Sequence, residues 1–250
     1  MVITDGGLAS RLYQNQELRE TLSSLSCGLL QLRIRVIHTK PGARLVVRDA
    51  TLGGSEGLGI LVEEFAEGFG RPELVAVPFL FWGHSAAGTF GLTYAGLDPG
   101  RTIGFVRYNS HLRDLPVDMS ILTAIPGLLI AGGADEVAGT EDAHSLWANG
   151  RASDAPWAFA VQPGAPHSSE QHLAEANALL LPWMIAVIEG RLDSDAEELK
   201  DLSNESGWFA GDATGETVSF DRYLGPRQQA SWLPDEASAR GWQILSGTSR

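Results

Sequence analysis

The chain has 250 residues, is 44% hydrophobic and carries a formal net charge of −13. This length accommodates one large α/β domain, or one domain with an extension. The charge argues against a nucleic-acid partner, because neutralising phosphates requires clustered Lys and Arg. The single cysteine, Cys27, excludes an intrachain disulfide.

Apolar runs of strand length alternate along the chain with segments of helical periodicity. The predicted strands lie near residues 2–4, 29–36, 77–82, 102–108, 127–131 and 157–161. Predicted helices cover residues 56–69, 140–148 with Thr140 as N-cap, and 170–192 with a kink at Pro182. Such alternation predicts an α/β fold whose mostly parallel sheet has helices on both faces. Residues 41–50 form an extended piece without an assigned place in this sheet.

The composition changes after Leu192. An acidic, polar stretch is followed by a tail that is rich in Gly, Asp and Trp. We therefore predict a main domain over 1–192 and a C-terminal extension over 193–250 that is too small for an independent core. The tail tryptophans are expected to dock it onto the main domain, or alternatively to line a pocket; they are Trp208, Trp232 and Trp242.

Targeting and membrane segments are not recognisable. Residues 1–20 contain no apolar core of the signal-peptide type. The longest apolar run, 178–188, is shorter than a membrane span and contains Pro182. The localisation is undetermined, and cytoplasmic if the recorded start is genuine.

Three segments end in residues suited to nucleophilic catalysis. The apolar run 79–82 leads into Gly83-His84-Ser85-Ala86-Ala87-Gly88, where small residues flank a serine before a predicted helix. A serine at such a turn has an exposed hydroxyl and lies at a helix N-terminus, which favours developing negative charge. Two later strands run into loops that carry Asp135 and His167.

These segments resemble the α/β-hydrolases, and esterases and polyester depolymerases in particular. The turn at Ser85 is similar to their G-x-S-x-G nucleophile elbow, with Ala87 in the last small position. The resemblance covers about residues 1–192 and implies an α/β-hydrolase fold with a small or absent cap. It also implies a triad of Ser85 as nucleophile, Asp135 as acid and His167 as base, in the family's chain order.

Neighbouring residues leave alternatives open. Glu136 would replace Asp135 after a shift of one register position. His84, next to the nucleophile, is expected to have a structural role. The remaining histidines either lie inside predicted helices or precede the acid in the chain; they are His144, His172, His38 and His111.

The oxyanion hole requires two preorganised N–H donors. The resemblance implies the N–H of Ala86 as one of them and that of Gly7 or Leu8 as the other. Asp5-Gly6-Gly7-Leu8 is similar to the family's H-G-G loop with aspartate in place of histidine, and an ordinary Gly-Gly turn is the alternative. Because this loop follows the first predicted strand, the earlier strands of the fold are expected to be missing, which would leave an exposed sheet edge.

The leading hypothesis is a serine hydrolase of small-molecule carboxylic esters or related acyl compounds, with no cofactor and no recognisable metal-ligand spacing. One alternative is a non-catalytic protein of the same fold. A weaker one is an NADP-binding protein that uses Gly83 to Gly88 as a degenerate glycine motif, with Arg107 for the 2′-phosphate. The sequence does not determine the oligomeric state.

Overall fold

The computed structural model describes residues 1–5, 14–32, 37–40, 43–45, 54–111, 117–192, 198–203, 205–211 and 215–248. Strands are numbered in chain order as β1 Val2–Asp5, β2 Leu29–Leu32, β3 Ile37–Lys40, β4 Ala43–Leu45, β5 Phe79–His84, β6 Thr102–Tyr108, β7 Gly127–Gly132, β8 Trp157–Gln162, β9 Trp208–Gly211, β10 Thr217–Ser219 and β11 Ala230–Leu233. The α-helices are α1 Gln16–Ser24, α2 Gly54–Phe69, α3 Ala86–Leu97, α4 Met119–Leu122, α5 Glu141–Ala152, α6 Glu170–Arg191 and α7 Glu236–Leu245. All six predicted strands and the three predicted helices are confirmed, although residues 33–36 lie outside the described part.

The central sheet has the order β2-β1-β5-β6-β7-β8 in the described residues, and every neighbouring pair is parallel. Side chains alternate between its two faces, so that Trp82 and Tyr108 point to one core and Phe81 and Phe105 to the other. Helices α1, α6 and α7 cover the first core, and α2, α3 and α5 cover the second. Burial on both faces explains why these strands are almost uninterrupted apolar runs.

The unplaced segment 41–50 is partly described. Its residues Ala43–Leu45 form β4, which pairs antiparallel with β3 in a separate two-stranded sheet. Strand β1 lies inside the central sheet between β2 and β5. The expectation of missing earlier strands stays a prediction.

Two helix predictions are refined by the structure. Thr140 is the N-cap of α5, but its side chain makes no capping hydrogen bond. Helix α6 continues through Pro182. With 22 residues, α6 is long and apolar enough to cross a membrane, and it is the one such helix in the described part of the chain. Half of its apolar stretch is buried inside the protein.

The C-terminal residues cover the outer edge of β8. They form the small sheet β10-β9-β11 and the helix α7, which packs against α6. Ser231 Oγ accepts a hydrogen bond from Phe159 N at 2.9 Å, and Trp242 Nε1 donates to Phe159 O at 2.6 Å. Trp242 therefore docks this segment, as predicted. The boundary near residue 192 stays a prediction.

Buried Arg151 of α5 also holds the C-terminal segment. Its Nε donates to Ala230 O at 2.8 Å and its Nη2 to Arg227 O at 2.7 Å. Burial lowers the pKa of Arg151 to about 10. The guanidinium is still charged at neutral pH, and these carbonyls replace its lost hydration.

Candidate active site

The turn between β5 and α3 consists of Ser85 alone. Its backbone has φ 58° and ψ −131°, a conformation that residues other than glycine rarely adopt. The chain reverses so tightly that a Cβ on Gly83 would lie 2.3 Å from the backbone carbon of Ala87. Ala86 is the first residue of α3, so its N–H belongs to those without a partner inside the helix.

The structure brings Ser85, His167 and Asp135 together. Asp135 follows β7 and His167 follows β8, and the carboxyl ends of these parallel strands share one edge of the sheet with the end of β5. His167 Nε2 lies 3.0 Å from Ser85 Oγ. His167 Nδ1 lies 2.9 Å from Asp135 Oδ2 and 3.1 Å from Oδ1. Each distance is that of a hydrogen bond.

The carboxylate of Asp135 is held ionised by its surroundings. Its side chain is fully buried. Burial raises its pKa, but hydrogen bonds from Ala138 N, from the His167 ring and from Val137 N outweigh this, so the net pKa is below the ordinary value. The two backbone donors lie 2.9 and 2.8 Å from Oδ1.

The lowered pKa of Asp135 ties folding stability to pH. Because the folded pKa is below the unfolded one of about 4, the ionised group stabilises the fold above that value. This contribution is lost as the pH falls through the folded pKa. We expect the difference in unfolding free energy between wild type and Asp135→Asn to shrink as the pH is lowered from about 5 to about 2. Urea unfolding of both proteins across that range measures it, and a difference independent of pH would contradict the assignment.

The loop of His167 is fixed through its backbone carbonyl. Asn109 Nδ2 donates to His167 O at 3.0 Å, and His84 Nε2 lies 2.7 Å from the same oxygen. His84 is 5% exposed and its ring lies 5.0 Å from that of His167. This placement agrees with the structural role expected for His84. Sequence reasoning missed Asn109, although a polar residue that directly follows a buried strand at the site edge is a usable signal.

The alternative residues lie elsewhere. Glu136 is exposed, and its neighbour Asp135 contacts His167 instead. His144 lies in α5 against Trp147, and His172 lies in α6 with Nδ1 2.8 Å from Ser169 Oγ. His38 belongs to β3, and His111 follows β6. Gly7 and Leu8 lie outside the described residues, so no geometry is assigned to them.

Arg107, the residue of the dinucleotide alternative, is 1% exposed. Its Nη2 donates to Ser110 Oγ at 3.1 Å, and burial lowers its pKa to about 10. The guanidinium is therefore enclosed rather than presented to a ligand at the surface. Across the described ranges, no group of three or more His, Cys, Asp and Glu side chains is arranged to hold a metal ion.

No protein-family model and no curated protein matches the chain. Solved structures do resemble it. An uncharacterised protein from Bacillus cereus ATCC 10987 is 17% identical with a TM-score of 0.51, over 75% of this chain and 59% of that one. TT1662 from Thermus thermophilus is 16% identical with a TM-score of 0.50, over 76% and 90%. Esterase PE8 is 17% identical with a TM-score of 0.47, over 72% and 91%.

Identities this low inform on the fold alone. The parallel sheet and the helices on both of its faces agree with the likeness to the two structures with TM-scores of 0.50 and 0.51. The chain has the α/β-hydrolase fold.

Proposed function

We propose that the protein is a serine hydrolase that cleaves small-molecule carboxylic esters or related acyl compounds through an acyl-enzyme. The observation that carries the proposal is the continuous hydrogen-bonded series from Ser85 Oγ through the His167 ring to the Asp135 carboxylate. A nucleophile, a base within hydrogen-bond reach and a group that orients the base are what acyl transfer requires. The strained backbone of Ser85 supports the same role.

The proposal assigns each step of the reaction to a named group. Ser85 Oγ attacks the carbonyl carbon while its proton passes to His167 Nε2. Asp135 keeps Nδ1 protonated and stabilises the resulting imidazolium. His167 then gives the proton to the leaving alcohol as the bond between the carbonyl carbon and the alcohol oxygen breaks. Water repeats the sequence on the acyl-enzyme, which releases the acid and restores Ser85.

The negative charge on the carbonyl oxygen needs fixed donors. The N–H of Ala86 is our first candidate, because it lies at the N-terminus of the twelve-residue helix α3 and follows the nucleophile directly. We assign the second donor to the N–H of Gly7 or Leu8, by resemblance to the family's loop. The same groups act on esters, thioesters and amides, so the acyl preference is left to experiment.

Labelling with a fluorophosphonate probe tests the proposal. Wild-type protein is expected to incorporate one probe per chain, and Ser85→Ala none, because only an activated serine attacks phosphorus rapidly. Hydrolysis of p-nitrophenyl esters should be lost in parallel. Absence of labelling in folded wild type, or undiminished labelling of Ser85→Ala, would contradict the proposal.

The chain supplies a matched control for this experiment. Ser169 Oγ also contacts an imidazole, that of His172 at 2.8 Å, but no carboxylate is hydrogen-bonded to this ring among the described residues. Ser169→Ala removes an N-cap of α6 and is expected to cost about 1 kcal/mol of stability. Its labelling should equal that of wild type.

A further inference from the structure

Asn109 joins the two loops that carry Asp135 and His167. It follows β6 directly and is 0% exposed. Its Oδ1 accepts a hydrogen bond from Gly132 N at 2.7 Å, at the start of the Asp135 loop. Its Nδ2 donates to Pro166 O and to His167 O, both at 3.0 Å, in the His167 loop.

The chemistry of this position is specific to an amide. One side chain must accept from an N–H on one side and donate twice to carbonyls on the other, and among short side chains only asparagine does both. The packing leaves little freedom, since a Cβ added to Gly132 would lie 3.2 Å from Asn109 Oδ1 and 2.3 Å from Ala165 O. The amide therefore sets the spacing between the two loops.

The backbone of Asn109 is also unusual. Its φ is 48°, in the left-handed region that asparagine tolerates better than most residues. Its backbone N donates to Ile130 O at 2.9 Å, which ties this conformation to β7. A strained residue persists only where its surroundings determine it, and such residues concentrate at functional sites.

We propose that Asn109 is a positioning residue for the hydrolytic reaction, which fixes His167 between Ser85 and Asp135 by binding both loops at once. The inference rests on the function proposed for Ser85. Within the described residues, the side chain of Asn109 makes no hydrogen bond to Ser85, to the His167 ring or to Asp135, and it acts through the backbone of His167. His84 Nε2 lies 2.7 Å from the same carbonyl oxygen.

The variant Asn109→Asp tests this role. It keeps the shape and the acceptor for Gly132 N, but it removes both donors and sets a carboxylate oxygen against two carbonyl oxygens. We expect kcat to fall by about 10²-fold, because a displacement of about 1 Å has that effect on a reacting group. KM should stay within about threefold, because the residue does not touch substrate. The far-downfield proton resonance of the bond between His167 Nδ1 and Asp135 should shift or disappear.

Two further variants separate positioning from general stability. Asn109→Gly relieves the left-handed backbone and removes the side-chain bonds, and it is expected to lose kcat and the resonance in the same way. Ser231→Ala removes an equally buried side-chain contact to a backbone, the one with Phe159 of β8. It should lose stability with kcat and the resonance unchanged.

Failure of the positioning role can be distinguished from failure of the proposed hydrolase function. The proton resonance is read without substrate, so an unshifted and undiminished resonance in folded Asn109→Asp or Asn109→Gly would overturn the positioning role whether or not wild type is active. Should Asn109→Asp not fold, Asn109→Gly decides by the same two readouts. A loss of kcat in Ser231→Ala as large as that in Asn109→Gly would also overturn the role.

Discussion

Asp135→Asn is expected to lower kcat by about 10³- to 10⁴-fold with little change in KM. The amide can keep Oδ1 as acceptor for Val137 N and Ala138 N, which now lie 2.8 and 2.9 Å from it. Its NH₂ group would then face His167 Nδ1 and donate to it. That contact favours the tautomer with the proton on Nε2, which cannot accept the proton of Ser85. The fold is retained while the base is disabled.

Steady-state kinetics with a p-nitrophenyl ester, together with thermal unfolding, measures this effect. Glu136→Gln is the matched control, because it neutralises the adjacent and exposed carboxylate in the same way. It should leave kcat within about twofold, as expected for a surface change. Full activity in Asp135→Asn combined with a large loss in Glu136→Gln would transfer the acid role to Glu136.

Gly83→Ala is expected to prevent folding or to cost more than about 4 kcal/mol of unfolding free energy. The added Cβ would lie 2.3 Å from Ala87 C, 2.3 Å from Gly88 N and 2.4 Å from Ala87 O. All three are backbone atoms of the first turn of α3, so rotation of a side chain relieves none of the contacts. Either β5 or α3 must move, and both are packed in the core.

Urea unfolding measured by circular dichroism tests this prediction. The control is Gly59→Ala within α2, where an added Cβ meets nothing within 4 Å. Replacing glycine by alanine inside a helix stabilises by about 0.5–1 kcal/mol, so this variant should unfold at a higher urea concentration. A Gly83→Ala protein with wild-type stability would show that the turn is looser than described.

The strands and the chain order of the candidate site residues could be predicted from the sequence, because strands are local features and chain order is a sequential one. A buried parallel strand is a continuous apolar run, and polar residues that follow such runs fall on one edge of the sheet. Ser85, Asp135 and His167 satisfied both conditions. The residues that they join by hydrogen bonds are up to 82 positions apart in the chain, so only the fold determines the distances between their atoms.

The features that the sequence did not indicate, the absent capping bond of Thr140 and the role of Asn109, depend on conformation rather than on pattern. Thr140 occupies the N-cap of α5, but its φ of −108° and ψ of −25° are already helical, whereas capping side chains reach back from an extended backbone. Asn109 gave no periodic signal. Its role follows from three contacts with partners 23, 57 and 58 residues away.

Ser231 and Trp242 have a consequence for how this protein behaves at high concentration. An unpaired outer strand offers its N–H and C=O groups to other chains, which is a route to ordered aggregates. At Phe159 of β8 both groups are already engaged by side chains, through Ser231 Oγ and Trp242 Nε1. If these two side chains were lost, the backbone groups of Phe159 would become available to pair with a strand of another copy of the chain.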